Sequence, residues 1–592
     1  MYALTLRSRL RPWLWYALLL ILLSITVFGE VAADPGGRVV AENDDSSLFI
    51  WWLGHAAHVL TGAEDGLLRT EAMNALGGGV NGAWNTSLAG IAILLAPITL
   101  LAGPIVSYNL LIISIPVLVS LATAVLFTRF LSRLPAFIAA GGVGFSSYVI
   151  AQLSGHPNLA FAIAPPLVAV AILELLSGNG IRDRRFWSVS LGLGALLGFQ
   201  FYVSTEVLAG TFIAVLCLFL AIALLGRSLT SAAGWLRLLL GGTVASALAL
   251  LFALPLLVTM TGPNAPSGAI RPHGVWNTDL LDPIIPAVPT LLGNGESPLP
   301  RIMDIDGAEL GAYVGVPALL AAVIILFCLG RNSRYATTLA IASATGILVF
   351  ALSLGSPVLL NGRELLPTGP FALVEAIPVL NNILPMRLVL HSTIALFAIL
   401  GIGLEWALAH RRRRTGQGLL TLLLVSALCV IPGVQSSREV TVPEFYTQSL
   451  PEVIPAGSVV KTFPRPLAWA EPHADEAMVW QSVADFSYRE TGGYFIGSSP
   501  DSAVTYAAPE DALDRLLHDN VFSGTPLPDP TGAAVSAAVD ELAAEGVDFV
   551  VLAEDAPLLP GGQGAYADFL DVALGTPDFA DEEVRVYRLA DR

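Results

Sequence analysis

Residues 43–60 read NDDSSLFIWWLGHAAHVL, and they begin about a dozen residues beyond the first long apolar run of the chain, residues 13–31. Two adjacent carboxylates, Asp44 and Asp45, therefore stand between a hydrophobic segment and a second apolar stretch. Leu48, Trp51, Trp52, His55 and Val59 recur there at helical spacing beside a polar stripe, a pattern that predicts an amphipathic helix lying on a bilayer surface.

The rest of the chain supplies the bilayer. Of 592 residues, 54% are apolar and 13% charged, and runs of about 20 apolar residues recur as no soluble core requires. The net charge of −17 is unevenly spread: residues 435–592 hold 27 acids against 8 bases, while residues 1–434 hold 20 against 22. The expected fold class is mainly α, with a polytopic transmembrane bundle over 1–434 and a soluble α/β domain over 435–592. Cys217, Cys328 and Cys429 all lie inside apolar runs, where thiols act as small hydrophobes and no disulfide framework is implied. The run 13–31 is long for a signal peptide and reads as an uncleaved first helix.

Spans able to cover about 30 Å of hydrocarbon fall near 13–31, 105–128, 134–151, 159–178, 186–202, 207–226, 236–260, 311–330, 335–354, 388–409 and 417–434. With these eleven, sixteen arginines cluster in the short loops of one side, from Arg7, Arg9 and Arg11 to Arg411–Arg414, and the positive-inside rule makes that side cytoplasmic. The C-terminal domain is then extracytoplasmic, in a multi-pass protein of the plasma membrane. Residues 88–102, short and carrying Pro97, read as an interfacial or re-entrant helix, because a crossing there would invert every later arginine cluster. Beyond Val434, strand-like GSVVKTF, VDFVVLAE and VRVYRL alternate with helical DALDRLLHDN, VSAAVDELAAEG and YADFLDVAL.

Long, chemically mixed loops at 32–104, 261–310 and 355–387 put the working surface outside. Asp44 and Asp45 suit a general base taking a proton from an acceptor hydroxyl, and equally suit capping of the helix that follows. Glu206, in FQFYVSTEVLAG, is an ionisable group at membrane depth, where such groups are costly and usually functional. His156, in SGHPNLAF, suits phosphate binding or proton relay, or plain solvation at a turn. Arg387 lies at a membrane boundary, where a guanidinium grips a lipid phosphate or anchors the span, and Arg271 and Arg363 stand in the same outer loops. Glu174 and Glu405 lie near cytoplasmic ends, where arginine pairing accounts for them. Two carboxylates with a histidine can hold a hard cation such as Mg²⁺ or Mn²⁺, although the spacing does not demand one.

In this order of parts the chain resembles the GT-C superfamily of polytopic glycosyltransferases, in an uncharacterised bacterial branch. The resemblance rests on Asn43-Asp44-Asp45 after the first span, then the segments GGVNGAWNTS, GFSSYVIAQLSGHPNLAF with His156, QFYVSTEVL, a late Arg387 and a soluble C-terminal domain. It implies a membrane glycosyltransferase using a polyprenyl-phosphate sugar on the outer face, with a cell-envelope glycan, lipid or protein as acceptor and no nucleic acid. By position Asp44, with Asp45 next, takes the family's place of catalytic base or metal-site residue. The chain lacks the WWDYG sequence of oligosaccharyltransferases and the HPPLG-like signature of protein mannosyltransferases, which leaves donor and acceptor open. The competing expectation is a non-catalytic protein that binds or translocates a polyprenyl-linked glycan. A secondary transporter is disfavoured because the spans show no internal repeat.

Overall fold

A computed structural model describes residues 2–40, 45–62, 66–85, 87–225, 231–300, 307–331, 333–377, 380–467, 474–553 and 564–589. Asp44 lies outside the described residues.

The membrane part is built from α1 (Tyr2–Val27), α2 (Asp45–Leu60), α3 (Ala89–Ala102), α4 (Pro104–Phe127), α5 (Arg133–Gly144), α6 (Ser147–Gln152), α7 (Ala164–Ser177), α8 (Arg184–Phe201), α9 (Thr205–Leu225), α10 (Ala232–Met260), α11 (Val316–Leu329), α12 (Ala336–Ser353), α13 (Val389–Ala409) and α14 (Arg414–Val430). Among the described residues, eight helical segments are long and apolar enough to cross a membrane, and the chain is a multi-pass membrane protein. The expected spans at 186–202, 311–330 and 417–434 coincide with α8, α11 and α14, which fall below that standard in length or hydropathy. Local sequence fixes the ends. Pro104 opens α4 behind Gly103 at φ 89°, Asp183 caps α8 by accepting from Arg185 N at 2.9 Å, and Ser231 caps α10 through Gly234 N at 3.1 Å. Leu101 and Phe327 stand exposed on the outside of the bundle, where lipid contact replaces protein packing. Glu174 meets Arg129 and Arg185, and Glu405 meets Arg334, the arginine pairing expected of them.

Helix α3 is 14 residues long, about 21 Å at 1.5 Å per residue and short of the hydrocarbon thickness. Helix α2 departs from expectation. Its residues Ser46–Ala57 are all buried, so it is an internal helix and not one lying on a bilayer surface. The reason is that Gln481 and Phe486 of the C-terminal region cover it, and between Ser46 and Ala57 only Ser46, Ser47 and His55 are polar. Trp51 stacks on His55 and meets Trp52 and Phe486 edge-on, and its Nε1 donates to Gln481 Oε1 at 2.7 Å.

That last contact belongs to the C-terminal region. Here β1 (Arg38–Val39) pairs with β2 (Arg438–Glu439), tying the segment that follows α1 to the segment that follows α14. A five-stranded sheet follows, made of β3 (Val459–Phe463), β4 (Arg489–Glu490), β7 (Phe549–Ala553), β8 (Phe579–Ala580) and β9 (Val584–Arg588), in the order β8-β9-β7-β3-β4. Strand β3 runs parallel to β7 and β4, while β9 runs antiparallel to β7 with Val551 opposite Val586. Period-2 alternation gives the sheet two buried faces. Val459, Val550 and Tyr587 pack under α16 (Ala512–Ser523), α17 (Ala533–Ala544) and α18 (Ala565–Leu574). Val460, Val551 and Val586 pack on Tyr446 and on Trp480 of α15 (Glu476–Val483). Between β4 and α16 a separate hairpin, β5 (Tyr494–Ser499) with β6 (Ser502–Ala507), leaves the sheet and reaches the membrane part.

Candidate active site

Five charged side chains from five distant segments form a chain of alternating sign at the end of the bundle that carries the C-terminal sheet. Asp45 is the first residue of α2, where a carboxylate is favoured by the helix dipole. Its Oδ2 is 2.8 Å from His156 Nε2, and its Oδ1 accepts from the Tyr494 hydroxyl at 2.6 Å. His156 sits in the turn after α6, just before the short helix Pro157–Ala160, with its Nδ1 3.7 Å from Glu309 Oε1. Glu309 ends the 3-10 turn Gly307–Glu309, is almost wholly buried and accepts from Gln152 Nε2 at 3.3 Å. The Arg387 Nε donates to both Glu309 oxygens at 3.0 and 3.1 Å, and its Nη2 donates to Oε1. The other arm, Nη1, donates to Glu206 in the first turn of α9, whose Oε1 accepts from Leu384 N at 2.9 Å.

These pairings set protonation. Burial pushes the Asp45 carboxyl up, but the hydrogen bond and charge of His156, the Tyr494 hydroxyl and the charge of Arg271 hold it below the usual value. Burial pushes His156 down and is outweighed by Asp45 and Glu309, so its value is raised. Burial also opposes ionisation of Glu309, yet Arg387, His156 and Gln152 bring it down to about 2. The pairings thus favour two anions on either side of an imidazolium.

Asp45, His156, Glu206, Arg271, Arg387 and Tyr494 line the head of a cavity of about 1360 Å³. Its body is apolar and runs between α7, α8, α9 and α10, past Leu193, Leu197, Phe212 and Phe219. On α10 the lining extends from Trp235 to Met260, roughly 37 Å of helix. Arg271 is half-buried at the head, its guanidinium 5.6 Å from the Trp276 ring centre and 5.9 Å from that of Tyr506. Among the described residues it has no carboxylate within ion-pair distance.

Of the residues expected from sequence, Asp45, His156, Glu206, Arg271 and Arg387 come together here. Arg363 does not: it stands exposed on the hairpin formed by Val358–Leu360 and Arg363–Leu366, away from the cavity lining, because that hairpin packs over Asp279 and not over the site. Glu309, Gln152 and Tyr494 were not singled out. Glu309 was one acid among several in loop 261–310, and nothing local marks Tyr494, which reaches Asp45 from 449 positions away. A divalent cation does not fit the described side chains. Among the described residues no three His, Cys, Asp or Glu groups gather around one point, and the Arg387 guanidinium already lies between Glu206 and Glu309.

No protein-family model matches the sequence, and no curated protein matches it significantly. Solved structures do match. The oligosaccharyltransferase of Archaeoglobus fulgidus in its apo form superposes with a TM-score of 0.51 at 11% identity, over 95% of this chain and 71% of that one. Two further structures of oligosaccharyltransferase from this archaeon cover the same shares at 12% identity. One is tethered to an acceptor peptide containing the NVT sequon and the other is in complex with an inhibitory peptide and a dolichol-phosphate, and their TM-scores of 0.45 and 0.44 are too low to argue from. At 11% identity the first likeness speaks for the fold alone, and the chain shares the polytopic membrane fold of the archaeal oligosaccharyltransferase.

Proposed function

We propose that this protein is an inverting membrane glycosyltransferase that moves a sugar from a polyprenyl-phosphate donor to a cell-envelope glycan, lipid or protein on the outer face. One observation carries the reading: a single cavity joins a charged head, with Asp45 and Arg271, to an apolar groove as long as a membrane span. That is the shape of a lipid whose headgroup is an anionic phosphate, and the fold shared with an oligosaccharyltransferase supports the reaction class.

Arg271 takes the phosphate, because its guanidinium has no carboxylate partner among the described residues. Arg387 was expected in that role from sequence, but both its arms are engaged, by Glu206 and Glu309, so it orders the head of the cavity. Asp45, kept anionic, takes the proton of the acceptor hydroxyl as that oxygen attacks the anomeric carbon, with Asp44 adjacent in sequence. The bond from the anomeric carbon to the phosphate oxygen breaks on the opposite face, and the electron pair leaves with the lipid phosphate. Phosphate leaves without protonation, so one carboxylate with a basic partner suffices.

The arginine-rich short loops support a charged end on the outer face and an N-terminus in the cytoplasm. The rival reading, a polyprenyl-glycan binding or translocating protein, draws support from the double engagement of Asp45 by His156 and Tyr494, as in a purely structural carboxylate. Radiolabelled polyprenyl-phosphate sugars offered to the purified protein decide between them. Transfer by the wild type that is lost in Asp45→Asn or Asp44→Asn supports the enzyme and identifies its base. Donor binding without transfer by the wild type overturns it in favour of the lipid-handling protein.

A further inference from the structure

The β5–β6 hairpin belongs to the C-terminal region, yet its contacts lie across the cavity head. It is strapped to the first outer segment by Asn85, whose Nδ2 donates to Ile496 O at 2.8 Å while its Oδ1 accepts from Ile496 N. It is strapped to the long loop by Ser267 N, which donates to Ala503 O at 2.9 Å, and by the Tyr506 hydroxyl, which donates to Ile270 O. Tyr494, Phe495 and Ile496 form part of the cavity wall. Each strand of the hairpin aims one tyrosine at one reacting group. Tyr494 of β5, 6% exposed, donates to Asp45 Oδ1, and the ring of Tyr506 of β6 lies within cation–π range of Arg271, as does that of Trp276.

We propose that this hairpin is a two-point brace, in which Tyr494 is the positioning residue for the carboxylate base and Tyr506 the positioning residue for the cation that receives the donor phosphate. The inference rests on the glycosyltransferase reading for those two roles, and it gives the soluble domain a direct part in the reaction. The Tyr494 hydrogen bond fixes one Asp45 oxygen while His156 fixes the other, so the carboxylate plane has one orientation toward the cavity. The rings of Trp276 and Tyr506 hold the Arg271 guanidinium without neutralising it, which leaves its charge for a phosphate.

The two contacts predict a division of kinetic effects. Tyr494→Phe keeps the ring and removes the hydroxyl; kcat falls about tenfold, the scale of one hydrogen bond to a charged group, while donor KM stays near that of the wild type. The acid limb of the pH profile moves to higher pH, since a donor that favoured the ionised Asp45 is gone. Among the described residues, His156, Arg271 and Tyr108 of α4 also face Asp45, and none is altered by the substitution. Tyr506→Leu removes the ring; donor KM rises about three- to tenfold with little change in kcat, and Tyr506→Phe, which keeps the ring, restores the lower KM.

A thermal double-mutant cycle between Tyr494→Phe and Asp45→Asn gives a readout independent of turnover. Non-additive shifts in Tm, with the kinetic split above, are expected. Additive shifts overturn the brace whatever the protein catalyses, as do an unmoved acid limb in Tyr494→Phe or equal KM in the Leu and Phe variants of Tyr506. Non-additive shifts in a protein that transfers nothing overturn the transferase reading and keep the Tyr494–Asp45 arm of the brace.

Discussion

Glu309 has 3% of its side-chain surface exposed and faces a guanidinium, an imidazole and an amide. Removing one partner of such a buried pair strands the other, which costs about 3–5 kcal/mol. Arg387→Leu should therefore destabilise the protein by about that amount, since it strands Glu206 as well, and thermal unfolding in detergent measures it. The same network predicts pH dependence of two signs. Glu309 is depressed, so its contribution is complete above its ordinary 4.5 and is lost as pH falls toward about 2. His156 is raised, so its contribution is complete below its ordinary 6.5 and is lost as pH rises through its higher folded value. Tm should thus fall on both sides of mildly acidic pH, with Glu309→Gln flattening the acid limb and His156→Gln the alkaline one. Sequence exposed Glu206 and Arg387 because each interrupts an apolar context, and Asp45 and His156 because each stands in a short polar stretch between apolar runs. Glu309 sits in a polar loop where one more acid carries no signal until the fold buries it.

Among the elements, α10 is the wall along which a lipid chain would lie. Gly242 lines the groove midway, and a side chain built there meets open space within 4 Å. Gly242→Trp should therefore fold, fill the groove and raise KM for long-chain donors at least tenfold, while donors with one or two isoprene units react as before; a KM series over chain length tests this. Helix α2 is the opposite case, closed on every side. Trp51→Ala removes a fully buried ring and the Gln481 hydrogen bond, and a loss of about 3–5 kcal/mol is expected, read from the unfolding transition. The long apolar helices were legible because hydropathy and caps are local properties. The burial of α2 was not, because its cover, Gln481 and Phe486, comes from a segment some 430 positions later.

On the scale of the whole molecule, the acidic C-terminal region is joined to the membrane part by more than one chain crossing. Strand β2 pairs with β1, α15 packs against α2, and the β5–β6 hairpin reaches the cavity. A chain ending at residue 434 should therefore expose α2 and aggregate, and size-exclusion chromatography of that truncation beside the full chain measures it. Three strands and three helices of the C-terminal region could be read from period-2 and helical patterns, whereas the two-residue strands β4 and β8 are too short to show a period. Its hairpin could not be assigned to the cavity, since no motif in residues 494–507 announces a membrane partner.

The hydrogen bond between Asp45 and Tyr494 spans 449 positions of chain. During synthesis Asp45 emerges early, and its tyrosine follows only after the last membrane helix and the following β3 have been made. On the proposed roles, an interrupted chain holds a base and no brace, so premature chemistry on lipid-linked sugars is slowed by the order of biogenesis itself.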